Sequence, residues 1–414
     1  MSNASSPPPV GAAGASAGID GIDGSGGTEP SLVIARAPLR ISFAGGGTDL
    51  PAYYERHGGL VLSAAITRSV YAVLAAGDYE RLHIAASNYR TVYLDDPAAA
   101  TRDERLALPR AVAAAMGLER GASVLLTAEA PAGTGLGSSS TQAAALIAAI
   151  AAFQGRAYGP RAIAELAARV EIEGLGQPIG KQDQYAAAYG GINVFAFGAG
   201  GVAVTPLTLA AGVRRGLEER LLLYFTGSTR QAGSILREQR ARTAAGEAGT
   251  LAALHALKES VGPMRAALEG GDYAGMGALL DAAWGLKRRV SSGISTGAID
   301  GAYEAARGAG AWGGKITGAG GGGFLLLLAP PEARGEIHAA LSARGLRRMP
   351  FGLEGRGAHT LVVERHGATL EGDPQSPPDP DPDSALVPGV GRAGGPQGPA
   401  GAEGDGPVGD GAAD

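Results

Sequence analysis

The chain contains no cysteine, and this absence removes several classes of chemistry. Without thiols the protein has no disulfide framework, no thiolate metal site and no cysteine nucleophile. No apolar run reaches the length of a membrane span, and the first residues do not show the basic-then-apolar order of a signal peptide. We therefore expect a cytoplasmic protein that does not bind membranes.

Both ends of the chain lack the apolar periodicity of a folded core. Residues 1–30 are rich in Ala, Gly, Ser and Pro, and residues 369–414 in Pro, Gly and Asp, so we expect two disordered tails. The tails carry a formal charge of about −11, which leaves the core at about +6 although the whole chain has −5. That charge suits an enzyme for phosphorylated ligands and is too weak to indicate a nucleic-acid partner.

The residues between the tails alternate between strand and helix patterns, and their number is enough for two domains. Strands dominate up to about residue 105, and two long helices follow a glycine-rich loop near residue 135. After a boundary near 210–217 we predict a strand, helical stretches at about 231–243, 247–268 and 273–290, another helix, a glycine loop and a final strand. The pattern predicts an α+β fold with domains at 31–212 and 213–368.

A glycine-rich loop leads directly into an Ala-rich helix at Ala130–Ile150, "APAGTGLGSSSTQAAALIAAI". The unpaired N–H groups of the first helical turn and the positive end of the helix dipole face one point, which makes an anion site. We therefore predict phosphate binding; the alternative is an ordinary serine N-cap after a turn. The motif is not a Walker loop, because no Lys-Ser or Lys-Thr pair follows the glycines.

A second glycine cluster, "GKITGAGGGGFLLLLA" at 314–329, contains a literal GxGxxG. A dinucleotide-binding fold needs a strand before this motif and a helix after it. Here we predict a helix and turn before it and a strand after it, which argues against a dinucleotide-dependent oxidoreductase. The glycines and Thr317 can instead bring backbone N–H groups close to phosphates, as a lid on the first loop.

A third motif, "APLRISFAGGGTDL" at Ala37–Leu50, carries Arg40 on a strand toward a glycine turn that ends at Thr48 and Asp49. Arg40 alone could form only a structural ion pair. Three such motifs in this order are more specific than any one of them.

These motifs resemble those of the GHMP kinases, the family of galactokinase, homoserine kinase and mevalonate kinase, over about residues 32–367. Within it, "LRISFAGGGTDLPAYY", "GKQDQYAAAYGGINVFAF" and the two glycine motifs look most like bacterial D-glycero-D-manno-heptose 7-phosphate kinases. The resemblance implies a ribosomal-S5-like N-terminal domain and a ferredoxin-like C-terminal domain. It also implies ATP and Mg²⁺ as cofactors.

The resemblance assigns the nucleotide side of the site to the two glycine motifs. Glu171 matches the magnesium-binding glutamate, twelve positions before the family's catalytic aspartate, and Ser139 would be the second metal ligand. Glu173 competes with Glu171, because residues two apart on a helix do not face the same site. The ATP-binding residues implied are Gly133, Gly135, Leu136, Gly137, Ser138, Ser139, Ser140, Thr317, Gly318, Gly320 and Gly321.

The same resemblance assigns the sugar side. Asp183 matches the aspartate that receives the proton from the sugar hydroxyl, and Arg40 the cation beside it. The implied substrate-binding residues are Asp49, Gly47, Thr48, Lys181, Gln184 and Arg230.

A sugar 7-phosphate requires a cationic partner, and the candidates are Lys181, Arg230 and the three consecutive cations at 287–289. We expect at least one of these three to lie on a solvated helix face. Gly46 and Gly47 stand where galactokinases have Glu and His, so galactose itself is disfavoured.

The resemblance therefore implies an ATP-dependent sugar 1-kinase acting on D-glycero-D-manno-heptose 7-phosphate. An L-fucose-like or other free-sugar 1-kinase is the alternative within the same class, and a catalytically silent sugar and ATP sensor is the alternative outside it. The joint presence of Arg40, Ser139, Glu171 and Asp183 argues against the sensor, since binding alone needs no carboxylate at the reacting hydroxyl. The oligomeric state stays open.

Overall fold

The computed structural model describes residues 30–86, 106–228, 232–291 and 293–364. All of them belong to one compact unit that ends at His366. The expected tails lie outside the described residues, except that Pro30 begins the first strand. Among the described helices, none is both long and apolar enough to cross a membrane.

Seven strands form the first sheet. Their order is β11-β1-β2-β4-β3, with β5 and β6 continuing from the first part of β2. Neighbours are antiparallel except for β3 and β4. The 18 residues of β2 pair with β5 at one end and with β4 at the other. The strands are β1 Pro30–Ala44, β2 Gly59–Ala76, β3 His83–Ala86, β4 Ala122–Ala128, β5 Ile192–Gly198, β6 Gly201–Leu207 and β11 His359–Glu364.

Among the described residues, five helices accompany this sheet: α1 Pro51–His57, α2 Ala107–Met116, α3 Ser138–Phe153, α4 Pro160–Ala168 and α5 Gln182–Tyr189. In α3 every residue from 141 to 151 is buried. A helix that is apolar on all sides is a core helix, and its many alanines let the sheet and other helices approach closely. The start of α3 is therefore held firmly in place. A π-helical turn, Arg169–Gly174, continues α4.

The second sheet has the order β10-β7-β9-β8 and is antiparallel. Its central strands read "LLLYF" and "FLLLL", as expected for strands buried on both faces. Alternate residues enter two different core clusters: Leu223 and Leu326 pack toward the first sheet, whereas Leu222 and Leu327 pack toward the helices. The strands are β7 Leu221–Phe225, β8 Gly313–Ile316, β9 Phe324–Leu328 and β10 Arg347–Arg348.

The described residues from 208 to 364 contain seven further α-helices. They are α6 Ala211–Arg220, α7 Ala232–Ala244, α8 Ala248–Glu259, α9 Val261–Gly270, α10 Tyr273–Lys287, α11 Gly297–Gly308 and α12 Arg334–Ser342. Helix α10 packs on β8 and β9, so its last residue lies near the glycine loop between those strands.

The α+β prediction is confirmed, and the local differences have physical reasons. The helical stretch predicted at 247–268 is two helices, α8 and α9, which meet at Ser260. The prediction of a turn before the GxGxxG of the second glycine cluster is wrong, because β8 lies there. A strand still follows the cluster, so the arrangement remains unlike a dinucleotide-binding fold. Strand β11 lies in the second predicted domain but pairs with β1; the boundary at 212 stays a prediction.

Candidate active site

The first glycine loop turns sharply three times before α3. Gly133, Gly135 and Gly137 have φ values of 73°, 78° and 81°, a region that favours glycine. Gly137 is the N-cap of α3, so no side chain covers the N–H groups of the first turn. The buried hydroxyl of Ser138 has no partner among the described residues. This loop presents donors without acceptors, which fits a phosphate.

The second glycine loop lies directly against the first. A Cβ at Gly318 would lie 2.4 Å from the Cα of Gly135, and one at Gly323 would lie 2.2 Å from the carbonyl oxygen of Thr134. The Thr317 hydroxyl donates to the Thr134 carbonyl across 3.3 Å. Only glycine allows the two backbones to approach this closely, so the two motifs form one surface.

Part of the second glycine loop is bound to a neighbouring segment of the protein. The N–H of Gly321 donates to the carbonyl of Ile294 across 2.8 Å, and a Cβ at Gly320 would lie 2.8 Å from the same oxygen. The Gly321 amide therefore already has an acceptor inside the protein, and the assignment of Gly321 to ATP binding stays a prediction.

Arg40 on β1 forms an ion pair with Asp183 on α5 and also contacts the first glycine loop. Arg40 is 2% exposed, and its Nη2 and Nε lie 2.6 and 2.7 Å from Oδ1 of Asp183. Its Nη1 donates to the carbonyl of Gly135 and its backbone N–H to that of Leu136. The pairing of β1 with β2 shifts register just before Arg40, as strands often do beside active sites. The two residues predicted as catalytic are thus in contact.

Glu171 lies on the π-helical turn after α4, a kind of irregularity common at functional sites. Its Oε1 accepts from the Ser139 hydroxyl across 2.8 Å and its Oε2 from Gln184 Nε2 across 2.6 Å. Burial raises the pKa of Glu171 to about 7, although hydrogen bonds from Ser140, Ser139 and Gln184 oppose the shift. Glu173 is exposed, so Glu171 is the residue that faces the site.

Ser139 and Glu171 also fit a magnesium ion. The described residues contain no group of three or more His, Asp or Glu side chains able to hold a metal. Magnesium commonly uses one or two protein oxygens together with substrate phosphates and water. One hydroxyl and one carboxylate beside a phosphate-binding loop provide that donor set.

A second carboxylate, Asp49, faces the same centre. It is 3% exposed and accepts from the N–H of Gly47 at 3.1 Å and from the side chain of Gln182 at 3.2 Å. Burial raises the pKa of Asp49, the neighbouring Asp183 raises it further, and backbone hydrogen bonds lower it. Sequence reasoning missed Gln182, although it lies beside Asp183.

The rest of the turn around Asp49 is structural. The hydroxyl of Thr48 is fully buried, lies 2.8 Å from the Gly45 carbonyl and accepts from the Leu60 N–H across 3.0 Å. This differs from the expected contact with substrate, since the hydroxyl has its partners inside the protein. The carbonyl of Gly47 accepts from Gln239 Nε2, so Gly47 contributes backbone to the turn.

Of the remaining predicted sugar contacts, the structure describes Lys181 and Gln184. Lys181 is half-buried, and its Nζ lies 5.4 Å from the centre of the Tyr54 ring. Gln184 differs from its expected position beside the sugar, because it is completely buried and supports Glu171 from behind. Arg230 lies outside the described residues.

Lys287 reaches this centre from the second sheet's helices. It is the last residue of α10, and its Nζ donates to the carbonyl of Gly318. Burial and then Arg40 lower the pKa of Lys287 to about 8, while Asp49 and Asp183 oppose that shift.

A second lysine lies deeper. Lys315 on β8 is 4% exposed, and its Nζ lies 3.1 Å from the Ser42 hydroxyl on β1. Burial, Lys287 and Arg40 together hold the pKa of Lys315 well below its usual value. Sequence reasoning missed Lys315; its position inside the second glycine motif, three residues before Gly318, was the available signal.

The family model described as "GHMP kinases N terminal domain" matches residues 106–191, and the one described as "GHMP kinases C terminal" matches residues 264–346. The chain is 31% identical over 313 residues to the D-glycero-alpha-D-manno-heptose 7-phosphate kinase of Campylobacter jejuni, covering 74% of this chain and 92% of that one. This chain belongs to the GHMP kinase family. The resemblance stated from the motifs is thereby confirmed.

Other relatives agree with the family. The L-fucokinase/L-fucose-1-P guanylyltransferase of Bacteroides fragilis is 29% identical over 350 residues, 75% of this chain but 36% of that longer protein. The crystal structure of a D-glycero-D-manno-heptose 1-phosphate kinase from Bacteroides thetaiotaomicron superposes with a TM-score of 0.65 at 29% identity, covering 80% of this chain and 99% of that one. The two-domain GHMP kinase fold is therefore confirmed.

GHMP kinases are phosphotransferases that use ATP, so this GHMP kinase is an enzyme of that class. The two glycine loops and the Ser139–Glu171 pair fall within the matched regions or directly beside them.

Proposed function

We propose that this GHMP kinase transfers the γ-phosphoryl group of ATP to the anomeric hydroxyl of a sugar. We further propose that the sugar is D-glycero-D-manno-heptose 7-phosphate and the product its 1,7-bisphosphate. The observation that carries the proposal is the Arg40–Asp183 ion pair, which lies between the first glycine loop and the buried carboxylate of Asp49. The ion pair and Asp49 together provide a base, a cation and a sugar-binding carboxylate around one point.

On the donor side, the N–H groups of the first turn of α3 and the glycine loops bind and orient the phosphates. Bound Mg²⁺ would neutralise phosphate charge, and Ser139 and Glu171 would hold it. The close contact between the two loops brings their backbone groups to one surface, where the donor phosphates would lie.

On the acceptor side, Asp183 takes the proton of the attacking hydroxyl. Arg40 holds that carboxylate by two hydrogen bonds to one oxygen, which leaves its Oδ2 for the sugar. Asp49 accepts from sugar hydroxyls and orients the ring. Positioning and charge neutralisation together supply most of the catalysis that phosphoryl transfer requires.

The proposed substrate rests on size and charge. Gly46 and Gly47 lack the side chains that galactokinases place at these positions, and half-buried Lys181 is a cation available for the sugar's phosphate. Two relatives are named as heptose phosphate kinases, but their names place the substrate's phosphate at different carbons. The similarity to an L-fucokinase supports a free-sugar 1-kinase as the second candidate. The use of ATP supports a cytoplasmic location.

A coupled ADP-release assay should compare the heptose 7-phosphate, the heptose 1-phosphate, L-fucose, galactose and mannose. We expect the 7-phosphate to have the highest kcat/KM, and ³¹P NMR of the product to show a new anomeric phosphate. Preferred turnover of L-fucose, or a product phosphorylated at another carbon, would contradict the proposed substrate. Wild type without ATP is the blank.

A further inference from the structure

We propose that Lys287 is a further catalytic residue, whose amine binds the phosphoryl group as it passes from ATP to the sugar. The inference rests on the proposed function, because it needs a donor and an acceptor on either side of this amine. Lys287 is the last residue of α10, which packs on β8 and β9, whereas Arg40 lies on β1 and Asp183 on α5.

A chain of contacts locates the amine. Lys287 Nζ donates to the carbonyl of Gly318, the residue that opens the second glycine loop. Gly318 lies against the Cα of Gly135, and the Gly135 carbonyl accepts from Arg40, which binds Asp183. The amine therefore lies where the two phosphate-binding loops meet the proposed base. Its electrostatic neighbours are the same groups, together with Asp49.

Two lysines at this point have no ion-pair partner of their own among the residues that the structure describes. Arg40 is paired with Asp183, but in the described part of the chain Lys287 and Lys315 have no carboxylate within ion-pair distance. Their acceptors are a backbone carbonyl and the Ser42 hydroxyl. Removing a cation from water without a carboxylate in direct contact costs free energy, and an anionic ligand that contacts the amine lowers that cost. The phosphoryl group is the anion that the proposed reaction brings to this position.

The role follows from the reaction itself. A bond forms between the anomeric oxygen and Pγ, the bond between Pγ and the β–γ bridging oxygen breaks, the hydroxyl proton goes to Asp183, and ADP leaves. Negative charge spreads over the three equatorial oxygens of the phosphoryl group during transfer. Lys287 has three N–H donors, and one reaches Gly318, so two remain for those oxygens.

This role differs from that of a partner for the 7-phosphate. The 7-phosphate and the anomeric hydroxyl lie at opposite ends of the heptose, so a residue beside Asp183 does not also bind the remote phosphate. The other two cations of this run, Arg288 and Arg289, are exposed, and Arg288 pairs with Asp300. Arg289 therefore serves as the control on the solvated face.

The first test compares wild type with Lys287→Met, Lys287→Arg and Arg289→Met in the sugar-kinase assay. We expect Lys287→Met to lower kcat by about 10²–10³-fold, with KM values for sugar and ATP within about threefold, because a charge contact made mainly during transfer is lost. Lys287→Arg should regain part of kcat, and Arg289→Met should match wild type. A raised KM for the sugar phosphate with unchanged kcat would overturn the proposal.

The second test does not depend on turnover. Isothermal titration should measure the affinity for MgADP alone and for MgADP with aluminium fluoride, a mimic of the phosphoryl group in transfer. We expect Lys287→Met to bind MgADP like wild type but to lose the additional affinity that the fluoride provides. Equal additional affinity in both proteins would overturn the inference. If wild type phosphorylates no sugar, the proposed function fails, while this titration still decides whether Lys287 contacts the phosphoryl position.

Discussion

The site has two parts that work in different ways. One consists of the two glycine loops at 133–137 and 318–323, and the other of the three carboxylates that face them, Asp49, Glu171 and Asp183. The loops act through backbone: their glycines have positive φ, and Cβ atoms added at Gly135, Gly318 or Gly323 would collide with the opposite loop. The carboxylates act through side chains whose properties depend on burial and on partners from distant elements. A loop that acts through its backbone can therefore be predicted from its glycine content. The role of a carboxylate depends on its neighbours in the tertiary structure.

The largest effect should come from the carboxylate that contacts the reacting hydroxyl. Asp183→Asn keeps the size of the side chain but removes the proton acceptor, so we expect kcat to fall by about 10²–10⁴-fold. MgADP affinity, measured by titration calorimetry, should stay near the wild-type value because the loops are untouched. A rate near wild type would remove Asp183 from its proposed role.

A change in the loops tests the other half of the comparison. In Gly318→Ala the new Cβ meets the Cα of Gly135, so the loops must separate, and we expect kcat/KM for ATP to fall by about 10²-fold. Gly117→Ala is the matched control: Gly117 has a φ of 70° but nothing within 4 Å of an added Cβ.

Both variants share the strain of an alanine at positive φ, about 1 kcal/mol in the free energy of unfolding. Only Gly318→Ala has the steric collision as well. Thermal melting and ATP kinetics of the pair separate the two costs. Equal ATP kinetics in the two variants would show that contact between the loops is unimportant.

The two glutamates of the π-helical turn sharpen the comparison further. Glu171→Gln should raise the Mg²⁺ concentration for half-maximal rate by about 10–100-fold, because the buried carboxylate that faces Ser139 is neutralised. Glu173→Gln, an exposed neighbour two residues away, should leave the Mg²⁺ dependence unchanged. A similar shift in both variants would argue against a metal contact at Glu171.

The smallest effect concerns pH. The pKa of Lys287 is lowered to about 8, so the amine is cationic below that pH and loses its charge above it. We expect kcat/KM, which reports the free enzyme, to fall above about pH 8 by up to tenfold per pH unit. In Lys287→Arg the guanidinium stays charged, so this fall should disappear. A fall of the same size in the variant would assign the titration to another group.

Prediction from sequence succeeded where a short segment contains its own explanation. The α+β class and the Ala-rich helix α3 follow from local periodicity and are confirmed, whereas phosphate binding at 130–150, which rests on helix-end chemistry, stays a prediction. The contact between Arg40 and Asp183 was implied by resemblance, and the structure brings the two side chains together across 143 positions. The prediction of a turn before Gly318 was wrong: the four residues Gly313–Ile316 form the short strand β8 there.

The sequence by itself determined the glycine loops, the helix that follows the first loop and the family of the chain, since those depend on residues that are neighbours along the chain. Only the tertiary structure decided that Gln184 supports Glu171, that Thr48 holds a turn, and that Lys287 joins Arg40 and Asp183 at one centre. The physical reason is that burial and long-range pairing determine the partners and the charge of a polar side chain, and neither is encoded within a single segment.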